Sequence, residues 1–201
     1  MNEVYVQEYT DLLERVLSVA HKRNYCLPAL ERQISYSQFF RQIERSDNGL
    51  PPFIVDNDLV KKIYPEINVS LANTPVYEQC LWAAEAYIRI QDSSKLSYEA
   101  IFLYIPIKKM YEYFDLYHEM DFIHIINEFY KLFKLNSVVG LLMKKYSISM
   151  KTVSKQIGIP YDSLYSYKSR RRDIKKMEAK SAYDLATLLR VRIETLLEIT
   201  L

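Results

Sequence analysis

A chain of 201 residues that is 49% hydrophobic holds enough apolar material for one or two well-packed domains. Its 27 Lys and Arg nearly balance 25 Asp and Glu, so net charge alone points to no polyanionic partner. No stretch approaches the ~18 consecutive apolar residues of a membrane span, and the opening MNEVYVQEYTDLLERV carries early acids and no apolar signal core, so a cytoplasmic protein with no membrane contact is expected.

Residues 3–23 read as one amphipathic helix, with Val6, Tyr9, Leu12, Leu13, Val16, Leu17 and Ala20 recurring at three and four. Pro28 breaks the chain, and Leu30, Ile34, Phe39, Phe40 and Ile43 then space a second helix over 29–45 that ends at Ser46, Asp47, Asn48 and Gly49. Residues 50–55 are extended around two prolines, either as a short strand or as a connector. Asp56 or Asp58 caps a short helix to about 64. Thr74 followed by Pro75 opens a helix to about 90 through Cys80, Leu81, Ala84, Tyr87 and Ile88. Within it Glu85 reads either as a surface charge or as a buried acid paired with Arg89 one turn on. Ser97 caps 98–104, Pro106 opens 107–117, and Asp121 caps 122–135.

This first part, residues 1–135, offers no chemistry of its own. Cys26 and Cys80 lack metal spacing and read as buried small apolar residues, with a bridge between them left open. His118, Glu119, Asp121 and His124 are dense, but the histidines stand six apart and not the four of a zinc-protease helix. With three glycines in the whole chain there is no phosphate loop. No catalytic residue, metal or cofactor is assigned, and the protein is not expected to be an enzyme. Eighteen tyrosines, among them Tyr98, Tyr104, Tyr111, Tyr113 and Tyr117, read either as a core with wet edges or, with Trp82, Tyr87, Phe102 and Phe114, as a partner surface.

The neutral total hides an uneven split. Residues 136–201 hold 13 Lys and Arg against 6 Asp and Glu, net +7, while residues 1–135 carry net −5. The join at 134–137 has no Gly and no Pro, so the two parts are expected to pack rigidly and not to hang on a tether. Within the basic part Ser137 caps a helix over 138–146. Val153 and Ile157 then mark one short helix, Gly158 a turn, and Leu164 and Tyr167 a second. Helices over 178–189 and 193–199 follow a dense basic loop. The two short helices about Gly158 have the form of a helix-turn-helix unit.

The order Ser149, Val153, Ser154, Ile157, Gly158, Ile159, then Leu164, then Ala186, Leu188, Leu189, Val191, Leu196 and Leu197 resembles the Xre-type domains of the Cro and lambda-repressor group. The resemblance covers residues 137–200, about a third of the chain. It departs from the common pattern at Met150, Pro160, Arg170 and Arg190, where a glutamine, a polar cap and two glycines are usual. The fold class expected is all-α, a helical N-terminal domain followed by a five-helix lambda-repressor-like bundle.

The resemblance implies that the helix from Tyr161 enters the major groove of double-stranded DNA. Tyr161, Asp162, Ser163 and Ser166 are then the base contacts, with Tyr165 and Lys168 beside them. Lys151, Thr152, Lys168, Arg170, Arg171, Arg172, Lys175 and Lys176 are the phosphate contacts. The function implied is a sequence-specific transcriptional regulator, a repressor of bacterial or phage kind, bound as a homodimer to a pseudo-palindromic operator. Residues 1–135 would dimerise and sense a signal, or bind a protein such as the toxin of a toxin-antitoxin pair. The dimer could equally form through Ile193, Leu196, Leu197, Ile199 and Leu201. The alternative is an interaction protein, such as a phage-encoded inhibitor of host defence, that uses the same fold on a protein partner; Met150 and Pro160 favour it.

Overall fold

Capping hydroxyls and prolines, more than glycines, punctuate this chain into helices. A computed structural model describes residues 3–23, 25–37, 40–41, 44 and 77–198. The described residues are all helical, with no strand: α1 Glu3–Lys22, α2 Leu27–Tyr36, α3 Tyr77–Ser94, α4 Tyr98–Tyr104, α5 Ile107–Tyr117, α6 Ile123–Leu135, α7 Val138–Lys145, α8 Met150–Ile157, α9 Tyr161–Lys168, α10 Ala179–Leu188 and α11 Ile193–Leu196, with a 3-10 turn Ile174–Lys176 before α10. Phe40, Arg41 and Glu44 are also helical. The expected connector at 50–55, the short helix to 64 and the start at Thr74 lie outside the described residues.

Pro28 does not break the chain as expected. It sits in the first turn of α2, where its missing N–H costs nothing, so the helix begins earlier than the spacing alone predicts. Ser97 caps α4 by accepting the Ala100 N–H, and Asp121 Oδ1 accepts the Ile123 N–H where α6 begins. Two further helix starts are served by distant buried acids. Glu44 Oε1 accepts the Tyr98 N–H at 2.7 Å, and Glu31 Oε1 accepts the Ile107 N–H at 2.8 Å, where Pro106 has no side chain to offer. A carboxylate at a helix N-terminus meets both free N–H groups and the positive end of the macrodipole.

Burial still pushes the Glu31 carboxyl above its ordinary 4.5, against the pull of the Ile107 N–H and Lys145. With the folded value raised, the protonated acid favours the fold; that contribution is complete below 4.5 and is lost as pH rises through the folded value. Glu31→Gln keeps an acceptor and removes the buried charge. The variant is expected to be more stable than the parent at pH 7, the difference closing towards pH 4 in paired urea titrations.

The short helix α4 is the centre of the packing. It lies against α2, α3, α6, α7 and α11, touching elements on both sides of the join at residue 135. Six of its seven residues are buried. Ser97 before it shares a hydrogen bond of 2.8 Å with Thr195 on α11. Residues of both halves form a single buried cluster, from Leu13 and Leu17 on α1 through Ile101 and Phe129 to Leu142, Leu164 and Leu185. Arg192, which precedes α11, locks the halves: its guanidinium donates to both Glu44 oxygens at 3.0 and 3.1 Å and to Glu99 Oε2 at 3.4 Å, while its backbone N–H reaches the same Glu99 oxygen at 3.0 Å. The side chains of all three are nearly or fully buried.

Several open readings resolve here. Tyr98, Tyr104 and Tyr113 are buried and Tyr111 and Tyr117 partly so, which places that cluster in or against the core. Tyr87, fully buried, donates to the Ile105 carbonyl at 2.8 Å. Glu85 pairs with Arg89 at 2.8 Å on a half-exposed face, and Arg89 continues to Glu3 and over the Phe122 ring. Both cysteines are free: Cys26 is exposed, against expectation, because it precedes α2 at a corner, whereas Cys80 is buried beside Tyr111. Burial raises the Cys80 thiol above its ordinary 9.

Candidate nucleic-acid interface

Three serines and a glycine shape the basic half. Ser137 caps α7 by accepting the Gly140 N–H at 3.1 Å, and its hydroxyl donates to the Lys168 carbonyl at 2.6 Å, tying the start of α7 to the end of α9. Ser149 caps α8 by accepting the Thr152 N–H at 3.1 Å. Gly158, at φ 71, ends α8 in the left-handed region, and Ser154 donates to the Ile159 carbonyl across that turn. Pro160 then sets φ −54 for the entry into α9.

Non-glycine residues also occupy the left-handed region after α7, α9, α10 and α11: Ser147 at φ 53, Arg170 at φ 56, Arg190 at φ 55 and Glu198 at φ 50. Each such residue carries roughly 1–2 kcal/mol of strain that glycine would not. The exposed Ser147 has no hydrogen bond from its side chain to set against that cost, so Ser147→Gly is expected to raise stability by about 0.5–1 kcal/mol in urea unfolding.

On α9, Leu164 and Tyr167 are buried and Tyr161, Asp162, Tyr165 and Lys168 are exposed. Ser163 and Ser166 are only half-exposed, and the Ser166 hydroxyl is spent on the Asp162 carbonyl at 2.8 Å. The outward set therefore centres on Tyr161, Asp162 and Tyr165, with the two serines set back. Met150, at the head of α8, is buried, while Lys151 and Thr152 beside it are exposed. In the loop after α9, Arg171 lies over the Tyr165 ring at 5.4 Å and Arg172 over Tyr167 at 5.2 Å. Asp173 Oδ1 accepts the Lys175 N–H, which fixes the 3-10 turn carrying Lys175 and Lys176.

Arg170, expected as a phosphate contact, is held by groups of the protein itself. Its Nη1 and Nη2 donate to the two Glu198 oxygens at 2.8 and 2.7 Å, Nη2 also to the Tyr104 hydroxyl at 2.9 Å, and Nε to the Asn136 carbonyl at 2.8 Å. The guanidinium plane lies 4.6 Å from the Phe133 ring centre. All three nitrogens of that guanidinium are engaged within the protein, while 31% of the side chain stays exposed. The remaining six cations of the expected set, Lys151, Lys168, Arg171, Arg172, Lys175 and Lys176, are exposed.

Two depressions adjoin at Ser137. A groove of about 560 Å³ is lined by Lys144, Ser149 and Lys168 over Leu141 and Met143, and a smaller cavity of about 100 Å³ by Tyr167, Arg172 and Lys175. Ser137 lines both, so cations follow one another from Lys144 through Lys168 to Arg172 and Lys175. Lys144 went unnoticed in the sequence because it lies outside the turn motif; its place in the last turn of α7 was the available signal. The Lys168 stem passes Gly140, where a Cβ would stand 3.6 Å from Lys168 Cγ and 3.2 Å from Ser137 Oγ.

Elsewhere, His118 stacks on Phe114 at 4.5 Å with Nδ1 2.8 Å from the Phe114 carbonyl, as a helix-end contact. Among the described residues no group of three or more His, Cys, Asp or Glu side chains is placed to hold a metal ion. No described helix is long and apolar enough to cross a membrane. No family model matches the chain, and neither does any curated protein or any solved structure.

Proposed function

We propose that residues 137–198 form an Xre-type helix-turn-helix unit and that the protein is a sequence-specific, DNA-binding transcriptional regulator acting in the cytoplasm as a homodimer. One observation carries this reading. Two short helices joined through Gly158 bury Val153, Leu164 and Tyr167 while α9 leaves Tyr161, Asp162, Tyr165 and Lys168 facing water, beside an exposed run of Arg171, Arg172, Lys175 and Lys176. An eight-residue helix with one buried face and one free face suits a major groove. Asp162 is suited to accept from a cytosine amino group, and Tyr161 and Tyr165 to contact thymine methyls or phosphates. Lys151, Thr152, Lys168, Arg171, Arg172, Lys175 and Lys176 hold the backbone in this reading, Lys144 joins them, and Arg170 does not.

The test is binding of the full-length protein to a duplex taken from just upstream of its own coding sequence, over a range of salt. With roughly four phosphates per subunit, the dimer's log binding constant falls against log salt with a slope of about −7. Replacing Arg171 and Arg172 together by alanine is expected to reduce that slope by about 3.6, from four lost phosphate contacts per dimer. A slope near −2 for the parent protein defeats the reading. A second reading, binding of a protein partner through the same surface, draws on the buried Met150 and the set-back Ser163 and Ser166, which leave fewer groups for bases. A parent protein that holds all duplexes equally weakly moves the assignment there, and pull-down on the full-length chain then identifies the partner.

A further inference from the structure

The basic loop after α9 differs from an ordinary charge run in one respect: its first arginine is turned inward. Arg170 meets Glu198 through both terminal nitrogens, at 2.8 and 2.7 Å, the planar fork that only arginine offers to a carboxylate. Its partner is itself fixed. Glu198 is buried, and its Oε1 also accepts the Tyr104 hydroxyl at 2.9 Å and the Val138 N–H at 3.3 Å. Both members of the pair sit in the left-handed region, each two residues past the end of its helix, α9 or α11. Glycine would sit there without strain; here the two side chains bind each other.

Two of the groups around Arg170 belong to the acidic half of the chain. Tyr104 ends α4, and Phe133, under the guanidinium, belongs to α6. The rings of Tyr104, Phe129 and Phe133 pack on one another at 5.3 to 6.1 Å between centres. Burial, and then the Glu198 carboxylate, push the Tyr104 hydroxyl well above its ordinary 10, so it remains a donor to Glu198 throughout the working range.

We infer that Arg170 is a positioning residue: anchored on Glu198, Tyr104 and Phe133, it sets the conformation of residues 171–176 and so lets the N-terminal half govern how Arg171, Arg172 and Lys175 are presented. The effect on DNA rests on the reading proposed above; the anchoring of the loop does not. The Arg172 N–H reaches back to the Ser166 carbonyl at 3.1 Å, closing the turn that Arg170 begins. Arg171 and Arg172 then lie over Tyr165 and Tyr167.

The test uses full-length Arg170→Lys, which keeps the charge and loses the fork, and Tyr104→Phe, which loses one hydroxyl and keeps the ring. In the free proteins, amide hydrogen exchange is expected to quicken at least fivefold at residues 171–176 in both variants, with α8 and α10 unchanged. Unaltered exchange in the loop, or equal acceleration throughout the basic half, overturns the inference. On the same upstream duplex, both variants are expected to bind about tenfold more weakly with the parent's salt slope, whereas Arg172→Ala loses about 0.9 of slope per contact. An Arg170→Ala slope reduced by that amount would make Arg170 a direct phosphate ligand and overturn the inference as well. Failure of the parent protein to bind the duplex defeats the DNA reading alone, because the exchange result stands without it.

Discussion

Replacing Arg192 by alanine is expected to remove about 3–5 kcal/mol of stability, read from the midpoint of urea unfolding at constant slope. The size follows from what stays behind. Glu44 is wholly buried at its side chain and Glu99 nearly so, and alanine leaves both carboxylates without their cation. Glu44 is closed off from water and Glu99 nearly so, so the loss is mostly the cost of uncompensated buried charge and exceeds the net worth of the pair. Against the ~5–15 kcal/mol of a typical domain this is a fifth or more of the total. A double variant, Arg192→Met with Glu44→Gln, keeps an acceptor for the Tyr98 N–H and removes one charge of each sign. It is expected to recover part of the loss; a double variant as unstable as the sum of its parts would show that the pair is not coupled.

The second large effect concerns Ile101, fully buried on α4. Ile101→Ala removes three methyl or methylene carbons from a site enclosed on several sides and is expected to cost about 2–5 kcal/mol. Its distribution is the more telling result. Because α4 packs against α2 and α3 before the join at residue 135 and against α7 and α11 after it, amide protection is expected to fall by the same amount in both halves. A loss confined to residues before 135 would mean that the basic half holds itself together. The same argument predicts coincident transitions for the fluorescence of the single Trp82, in the acidic half, and the far-ultraviolet signal of the whole chain.

Local signals in the sequence translated well into helices. Ser97, Pro106, Ser137 and Ser149 each stand at a helix start, and Gly158 stands in the left-handed turn that only its type enters without strain. These depend on neighbours a few residues away, and periodicity reads such neighbours directly. Partner choice at long range does not show in periodicity. Arg170 looks like Arg171 and Arg172 in a charge run, yet its partner Glu198 lies 28 positions on, and Arg192 finds Glu44 across 148. The tyrosine cluster was open between two readings for a different reason. A count of tyrosines cannot tell an interface from a core in which each hydroxyl meets a carbonyl or carboxylate, as those of Tyr87 and Tyr104 do. Ser163 and Ser166 fell back from the outward set because helical spacing gives a direction and not a depth.

The two cysteines equip the chain with a reporter that needs no engineering. Cys26 meets solvent at the corner before α2, and Cys80 lies under α1 and beside Tyr111, its thiol pKa raised by burial. A small thiol reagent therefore labels the molecule in two phases. The fast phase counts molecules; the slow phase proceeds only as α1 lifts from α3. Mass spectrometry of the second adduct, followed over hours, would measure how often that helix pair opens in the otherwise native protein.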